Sequence, residues 1–307
     1  MITLENRYKG ALVGLAVGDA VGTTLEFSQP GEFEPISEMN GGGPFKLKPG
    51  EWTDDTSMAL CLAESILQTG GFDPVDQMRR YVRWRDEGYL SATGKCFDIG
   101  VATSRALDTF KTWGEPYAGS IDPRRAGNGS LMRIAPVPMR WRTDLSQTAH
   151  YAALSSRTTH AAPEAVDACR YYAVSIAVAL NGASKEQVLT TNPDRREVFE
   201  SSPLSPVIAE VAAGSYQKRK PSEIRGSGYV VHTLEAALWA LATTDDFRSG
   251  LLKVVNLGED ADTTGAVYGQ LAGAIYGLEG IPSEWTQTLA LRDQIENFAI
   301  RLKGVAS

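Results

Sequence analysis

Two stretches of this chain consist of carboxylates and hydroxyls and little else. One is Trp52-Thr53-Asp54-Asp55-Thr56; the other is Gly258-Glu259-Asp260-Ala261-Asp262-Thr263-Thr264-Gly265. Each stands where a helical pattern begins. An aspartate there accepts from free N–H groups and meets the positive end of the helix dipole, so capping is an ordinary use for the first stretch. In the second, capping needs only one carboxylate, and the D-x-D spacing points two the same way if the backbone is extended. Neither stretch holds a soft ligand. Oxygen-only sets suit Mg²⁺, Mn²⁺ or Ca²⁺ rather than zinc or copper. Four carboxylates brought together repel unless a cation neutralises them. If the stretches meet, a site with two divalent ions is the expected outcome. An EF-hand is excluded, because no Asp/Asn ladder and terminal Glu follow.

Two further segments carry chemistry. Gly18-Asp19-Ala20-Val21-Gly22-Thr23-Thr24-Leu25-Glu26-Phe27 sets Asp19 inside an apolar helical pattern. An aspartate there is costly unless hydrogen-bonded or near a cation; capping a neighbouring helix would serve. Glu26 falls just past that helix, where a carboxylate can reach into a cleft. Ala126-Gly127-Asn128-Gly129-Ser130-Leu131-Met132-Arg133 offers backbone N–H groups at unusual φ/ψ ahead of an apolar helix. Such a nest holds phosphate oxygens, and the same residues also make a plain turn. The segment is neither a Walker A loop nor a dinucleotide fingerprint.

The elements that must position these residues read as helices almost throughout; period-two alternation is rare and short. The pattern predicts a helix over Thr56–Leu67, with Met58, Cys61, Leu62 and Ser65 on one face and Gly70-Gly71 as its stop. Asp73-Pro74 starts the next. Others are expected over Pro163–Leu180, His232–Leu241, Asp246–Asn256 and Arg292–Leu302. Gly10, Gly14, Gly18 and Gly22, and again Gly265, Gly269, Gly273 and Gly277, fall four apart. They form side-chain-free ridges that let another backbone approach closely. Both ridges adjoin carboxylate clusters. The stretches Ser28–Glu51 and Ser91–Gly100 read as loops, and Asn181–Gly228 as surface elaboration. We expect an all-α protein of one domain spanning residues 1–307.

Composition excludes several classes. Apolar residues at 43% and charged residues at 22% are those of a globular chain, not a disordered or fibrous one. A net charge of −7 gives no general grip on nucleic acid or anionic lipid. Cys61, Cys96 and Cys169 are too few for a disulfide framework and suit a reducing compartment. The apolar run Ala11–Val17 is too short to span a bilayer. A soluble, cytoplasmic monomer is expected, with no nucleic-acid or membrane partner.

Taken in order, GALVGLAVGDAVGTTLEF (Gly10–Phe27), WTDDTSMAL (Trp52–Leu60), GKCFDIG (Gly94–Gly100), GNGSLMRIAP (Gly127–Pro136), THAAPEAVDAC (Thr159–Cys169) and GEDADTTGAVYGQLAGAIYG (Gly258–Gly277) resemble the ADP-ribosylglycohydrolase family over most of the chain. The pairing of TDD with a distant DADTTG is the specific part. The resemblance implies a compact all-α domain with a binuclear Mg²⁺ (or Mn²⁺) site at the bottom of a cleft. Thr53, Asp54, Asp55, Asp260, Asp262 and Thr263 would be the metal ligands, and each family position is matched. Gly127, Asn128, Gly129, Ser130 and Met132 would cradle the diphosphate and distal ribose of ADP-ribose. His160 would border the cleft, although a Thr-His pair before a helix is also good capping chemistry.

The implied reaction hydrolyses the bond between C1″ of ADP-ribose and a side chain of a modified protein, through an oxocarbenium-like transition state. Glu26 and Asp98, carboxylates outside the ligand set, are the catalytic candidates. The FDIG stretch resembles the bacterial arginine-directed branch. A guanidinium is planar and always cationic, so its cleft must supply an anion; Asp98 can do that, or can cap the helix that follows. A serine oxygen would instead need a proton donor. A different metal-dependent phosphate or nucleotide hydrolase, and a non-hydrolytic ADP-ribose-binding module, are the rival readings.

Overall fold

The computed structural model describes residues 2–190 and 193–306. Among them are fifteen α-helices and no strand. In chain order they are α1 (Leu4–Gly22), α2 (Asp54–Thr69), α3 (Pro74–Glu87), α4 (Val101–Trp113), α5 (Pro136–Trp141), α6 (Leu145–Arg157), α7 (Pro163–Leu180), α8 (Lys185–Leu189), α9 (Pro193–Ser201), α10 (Pro206–Ala212), α11 (Val230–Ala242), α12 (Phe247–Val255), α13 (Ala261–Tyr276), α14 (Ser283–Thr288) and α15 (Arg292–Val305). The expected helices recur as α2, α3, α7, α11, α12 and α15. Their ends follow local chemistry. Asp73 Oδ1 accepts from the N–H groups of Val75 and Asp76 ahead of Pro74, and Gly70 closes α2 in the left-handed region. No helix among the described residues is long and apolar enough to cross a membrane. The stretch 181–228 holds three short helices, with residues 191 and 192 outside the described set.

The core is organised by the two glycine-ridged helices. α1 and α13 run antiparallel through the interior, each buried almost end to end. A Cβ on Gly10, Gly14, Gly18 or Gly22 would lie 2.2, 2.4, 2.1 or 2.3 Å from the carbonyl oxygen of Gly273, Gly269, Gly265 or Ala261 respectively. Such distances leave no room for a side chain, so the backbones touch directly. Gly277 completes the contact: its carbonyl carbon would lie 2.7 Å from a Cβ on Gly10. It closes α13 with φ 73° and ψ 173°, a positive-φ extended conformation that glycine adopts readily. The ridge contact fixes α1 against α13 in one register, and that register sets Asp19 beside the first turn of α13. Around the pair, buried apolar side chains from α1 to α15 merge into one main cluster.

Candidate active site

α2 begins where α1 tells it to. The N-cap Thr53 makes no side-chain cap bond of its own. Asp19, fully buried on α1, does the capping from outside. Its Oδ1 accepts from Thr53 N–H at 2.8 Å and Thr53 Oγ1 at 3.0 Å, and its Oδ2 from Thr56 N–H at 3.0 Å and Thr56 Oγ1 at 2.6 Å. That answers the cost of a mid-core aspartate. It also holds Asp54 and Asp55, the first residues of α2, beside the first turn of α13.

The two acidic stretches do meet. Thr53 Oγ1 lies 3.0, 3.1 and 3.2 Å from carboxylate oxygens of Asp19, Asp55 and Asp262. One hydroxyl has one proton to give. The remaining approaches are oxygen against oxygen, an arrangement that a cation resolves. Asp19, Asp55 and Asp262 form one triad with ligand atoms within 4.8 Å of one another; Glu26, Asp98 and Asp262 form a second, so Asp262 belongs to both. Asp55 Oδ1 and Glu26 Oε2 are buried without a hydrogen-bond partner. Orphaned acceptors and crowded hard oxygens fit divalent cations of the Mg²⁺ or Mn²⁺ kind. Asp19 is the exception within its triad, since both its oxygens already accept from α2.

Electrostatics agree. Burial, then the neighbouring carboxylates, pushes Asp54, Asp55 and Asp262 well above the usual carboxylate range. Glu26 rises to about 10, by desolvation first and then the Asp98, Asp260 and Asp54 charges. Asp98 rises to about 7, again mainly by desolvation. Asp260 is raised too, restrained by hydrogen bonds; its Oδ2 accepts from Asn128 Nδ2 at 2.7 Å.

The cleft above has a volume of about 580 Å³. Glu26, Asp54, Asp98, Asp260, Asp262, Thr263, Gly127, Asn128, Gly129, Met132 and His160 line it. Thr53 and Asp55 lie beneath, nearly or fully buried. Ser130 is turned inward, its hydroxyl accepting from Ser156 Oγ at 2.8 Å. Asp98 caps nothing: α4 starts after Gly100, with no side-chain cap. Instead Asp98 has φ 60°, strained for a non-glycine residue, in a loop that sets it beside Glu26 and Asp262. A second cavity, of about 640 Å³, adjoins at Val101, Ala102, Gly127 and Gly228 and contains Arg105, Arg124 and Arg125.

The glycine loop differs in detail from its sequence reading. Neither Gly127 nor Gly129 has a positive φ, and the helix after the loop starts only at Pro136. Space is what demands glycine: a Cβ on Gly129 would stand 2.8 Å from Cε1 of His160. Beneath sits a residue to which sequence reasoning gave no role. Arg133, fully buried, donates to Gly129 O and to Thr159 Oγ1, both at 2.7 Å. Its signal in the sequence was the spacing of four from Gly129. The Thr159 hydroxyl in turn hydrogen-bonds His160 Nδ1, 2.8 Å away. Burial and the Arg133 charge hold His160 down at about 3, hence neutral. Of the ring atoms, Nε2 lies nearest Gly127. His160 is thus an uncharged ring at the cleft wall.

A buried, oxygen-only acidic centre between two antiparallel helices, under a glycine loop and a neutral histidine, is the candidate hydrolytic centre of this all-α fold. The sequence matches the ADP-ribosylglycohydrolase family over residues 1–307, and the chain belongs to that family. It is 46% identical over 297 residues to the ADP-ribosylarginine hydrolase Tri1 of Pseudomonas putida strain GB-1, covering 97% of this chain and 78% of that one. It is 31% identical to the ADP-ribosyl-[dinitrogen reductase] glycohydrolase of Rhodospirillum rubrum, covering 96% and 94%. A solved structure described as an ADP-ribosylglycohydrolase-related protein complex superposes with a TM-score of 0.84 at 45% identity, over 99% of both chains.

Proposed function

We propose that this protein is a divalent-metal-dependent hydrolase that removes ADP-ribose from arginine side chains of modified proteins. The observation that carries it is the Thr53 hydroxyl placed against three carboxylates, with Asp262 shared between two acidic triads. Thr53, Asp54, Asp55, Asp260, Asp262 and Thr263 would hold two ions, Mg²⁺ or Mn²⁺. Asp19 serves them indirectly by seating Thr53 and the start of α2. The ions would fix the ribose hydroxyls and supply positive charge beside C1″.

The chain's own residues then do the following. The loop 127–132 and the His160 ring meet the phosphate and ribose oxygens. Asp98 accepts from the guanidinium of the modified arginine, which needs a fixed anion. Glu26 takes a proton from the attacking water as the C1″–N bond breaks, and that proton passes to the departing guanidine nitrogen. Bound cations would oppose both the desolvation and the carboxylate repulsion that raise Glu26, and would favour its basic carboxylate form. The name of the arginine-directed relative supports the leaving group.

An arginine-ADP-ribosylated peptide incubated with the protein, with and without Mg²⁺, tests this. Mass spectrometry should show free ADP-ribose and unmodified arginine only with the ion. Asp54→Ala and Asp262→Ala should both abolish turnover and the thermal stabilisation by Mg²⁺. Phosphate or nucleotide release in place of ADP-ribose would overturn the reading.

A further inference from the structure

Exposed aromatic rings are not a feature that a hydrolytic centre explains. Phe27 is 62% exposed, yet it lines the catalytic cleft next in sequence to Glu26. Its φ is 60°, a left-handed conformation that costs a bulky residue. The chain holds it there deliberately. Phe27 N–H donates to Glu259 O at 2.6 Å, and Glu259 N–H donates back to Ser28 O at 2.8 Å. Two more rings join from separate loops. Phe45 meets Phe27 edge-on at 6.5 Å between centroids, and Phe97 packs on Phe45 at 5.2 Å. Phe97 directly precedes Asp98. The rings therefore flank the Glu26–Asp98 end of the cleft, whereas the arginine-containing cavity adjoins at Gly127 and Gly228.

The geometry points to a cation-receiving platform: the face of Phe27, braced by Phe45 and Phe97, seats the guanidinium of the ADP-ribosylated arginine while Asp98 accepts from its edge. This rests on the arginine reading above and adds the residues that select the leaving group. An N-substituted guanidinium stays planar and charged, and combines a polar edge with a weakly hydrated face. A ring and a carboxylate together match both. A serine-linked ADP-ribose has no cation to place there, so the platform discriminates between the two linkages.

The test compares wild type, Phe27→Leu, Phe27→Trp and the double variant Phe27→Leu/Phe45→Leu, in Mg²⁺. Phe27 is exposed, so the single variants fold. With an arginine-ADP-ribosylated peptide, Phe27→Leu should raise KM by about five- to tenfold. Phe27→Trp should restore it, and the double variant should be worse. Affinity for free ADP-ribose, by calorimetry, should stay within about twofold of wild type. Unchanged KM in both leucine variants overturns the platform alone. A parallel loss of ADP-ribose affinity overturns it too, by placing the adenine against the ring. Wild-type release from a serine-linked peptide with none from the arginine-linked one removes the arginine reading, and this inference with it.

Discussion

Replacing Gly269 with alanine separates local from tertiary effects by sign. In a solvent-facing helix the change stabilises by up to about 1 kcal/mol, because alanine loses less backbone entropy. Here the new Cβ would stand 1.9 Å from Gly14 O and 2.5 Å from Gly14 C. Ordinary contact is about 3.5 Å, so α1 and α13 must part by roughly 1.5 Å. Overpacking of that kind costs about 1–3 kcal/mol or more. We expect a net destabilisation of about 1–2 kcal/mol in spite of the propensity gain. The displacement would also reach the site, since α13 carries Asp262 and α1 carries Asp19, joined through Thr53. Mg²⁺ affinity should fall with stability. Gly304 is the control: it lies in α15 with nothing within 4 Å of its Cβ position, and Gly304→Ala should be neutral or stabilising. Urea unfolding in EDTA gives the stabilities, and Mg²⁺ titration calorimetry the affinity. Gly269→Ala as stable as Gly304→Ala would refute the reasoning, because the ridges could not then be in backbone contact.

Three more expectations follow from the site. In EDTA, stability should decline as pH rises from 5 to 8: Asp19, Asp98 and Glu26 have folded-state values raised to about 6, 7 and 10, so their contribution is full below the ordinary carboxylate range and is lost as each ionises. Mg²⁺ should flatten that slope, and melting temperatures that rise with pH in EDTA would contradict it. Asp98→Asn should cut turnover of arginine-linked ADP-ribose at least tenfold, on the order expected for a lost charged partner, while calorimetry still shows Mg²⁺ binding. Gly129→Val should displace the His160 ring, lowering ADP-ribose affinity with the ions still bound; full affinity in that folded variant would leave the loop an ordinary turn.

Short-range chemistry made much of this molecule readable from its letters. α7 runs from Pro163 to Leu180 as its periodicity says, and α3 starts at Asp73-Pro74, because caps and apolar stripes act within one or two turns. The fourfold glycines announced a backbone contact, and the matched acidic stretches a shared site. The letters also place Asp98 and Glu26 next to helix ends. What they do not carry is direction. Nothing local says that Ser130 turns inward while Asn128 reaches Asp260, or that Arg133 is linked to His160 through Thr159. The same holds for Phe27, Phe45 and Phe97, three loop residues with no periodicity, which meet at the mouth of the cleft. Thr53 and Asp262 lie 209 positions apart. Their contact depends on the register of α1 on α13, and that register exists only once every glycine along both ridges has found the opposite backbone.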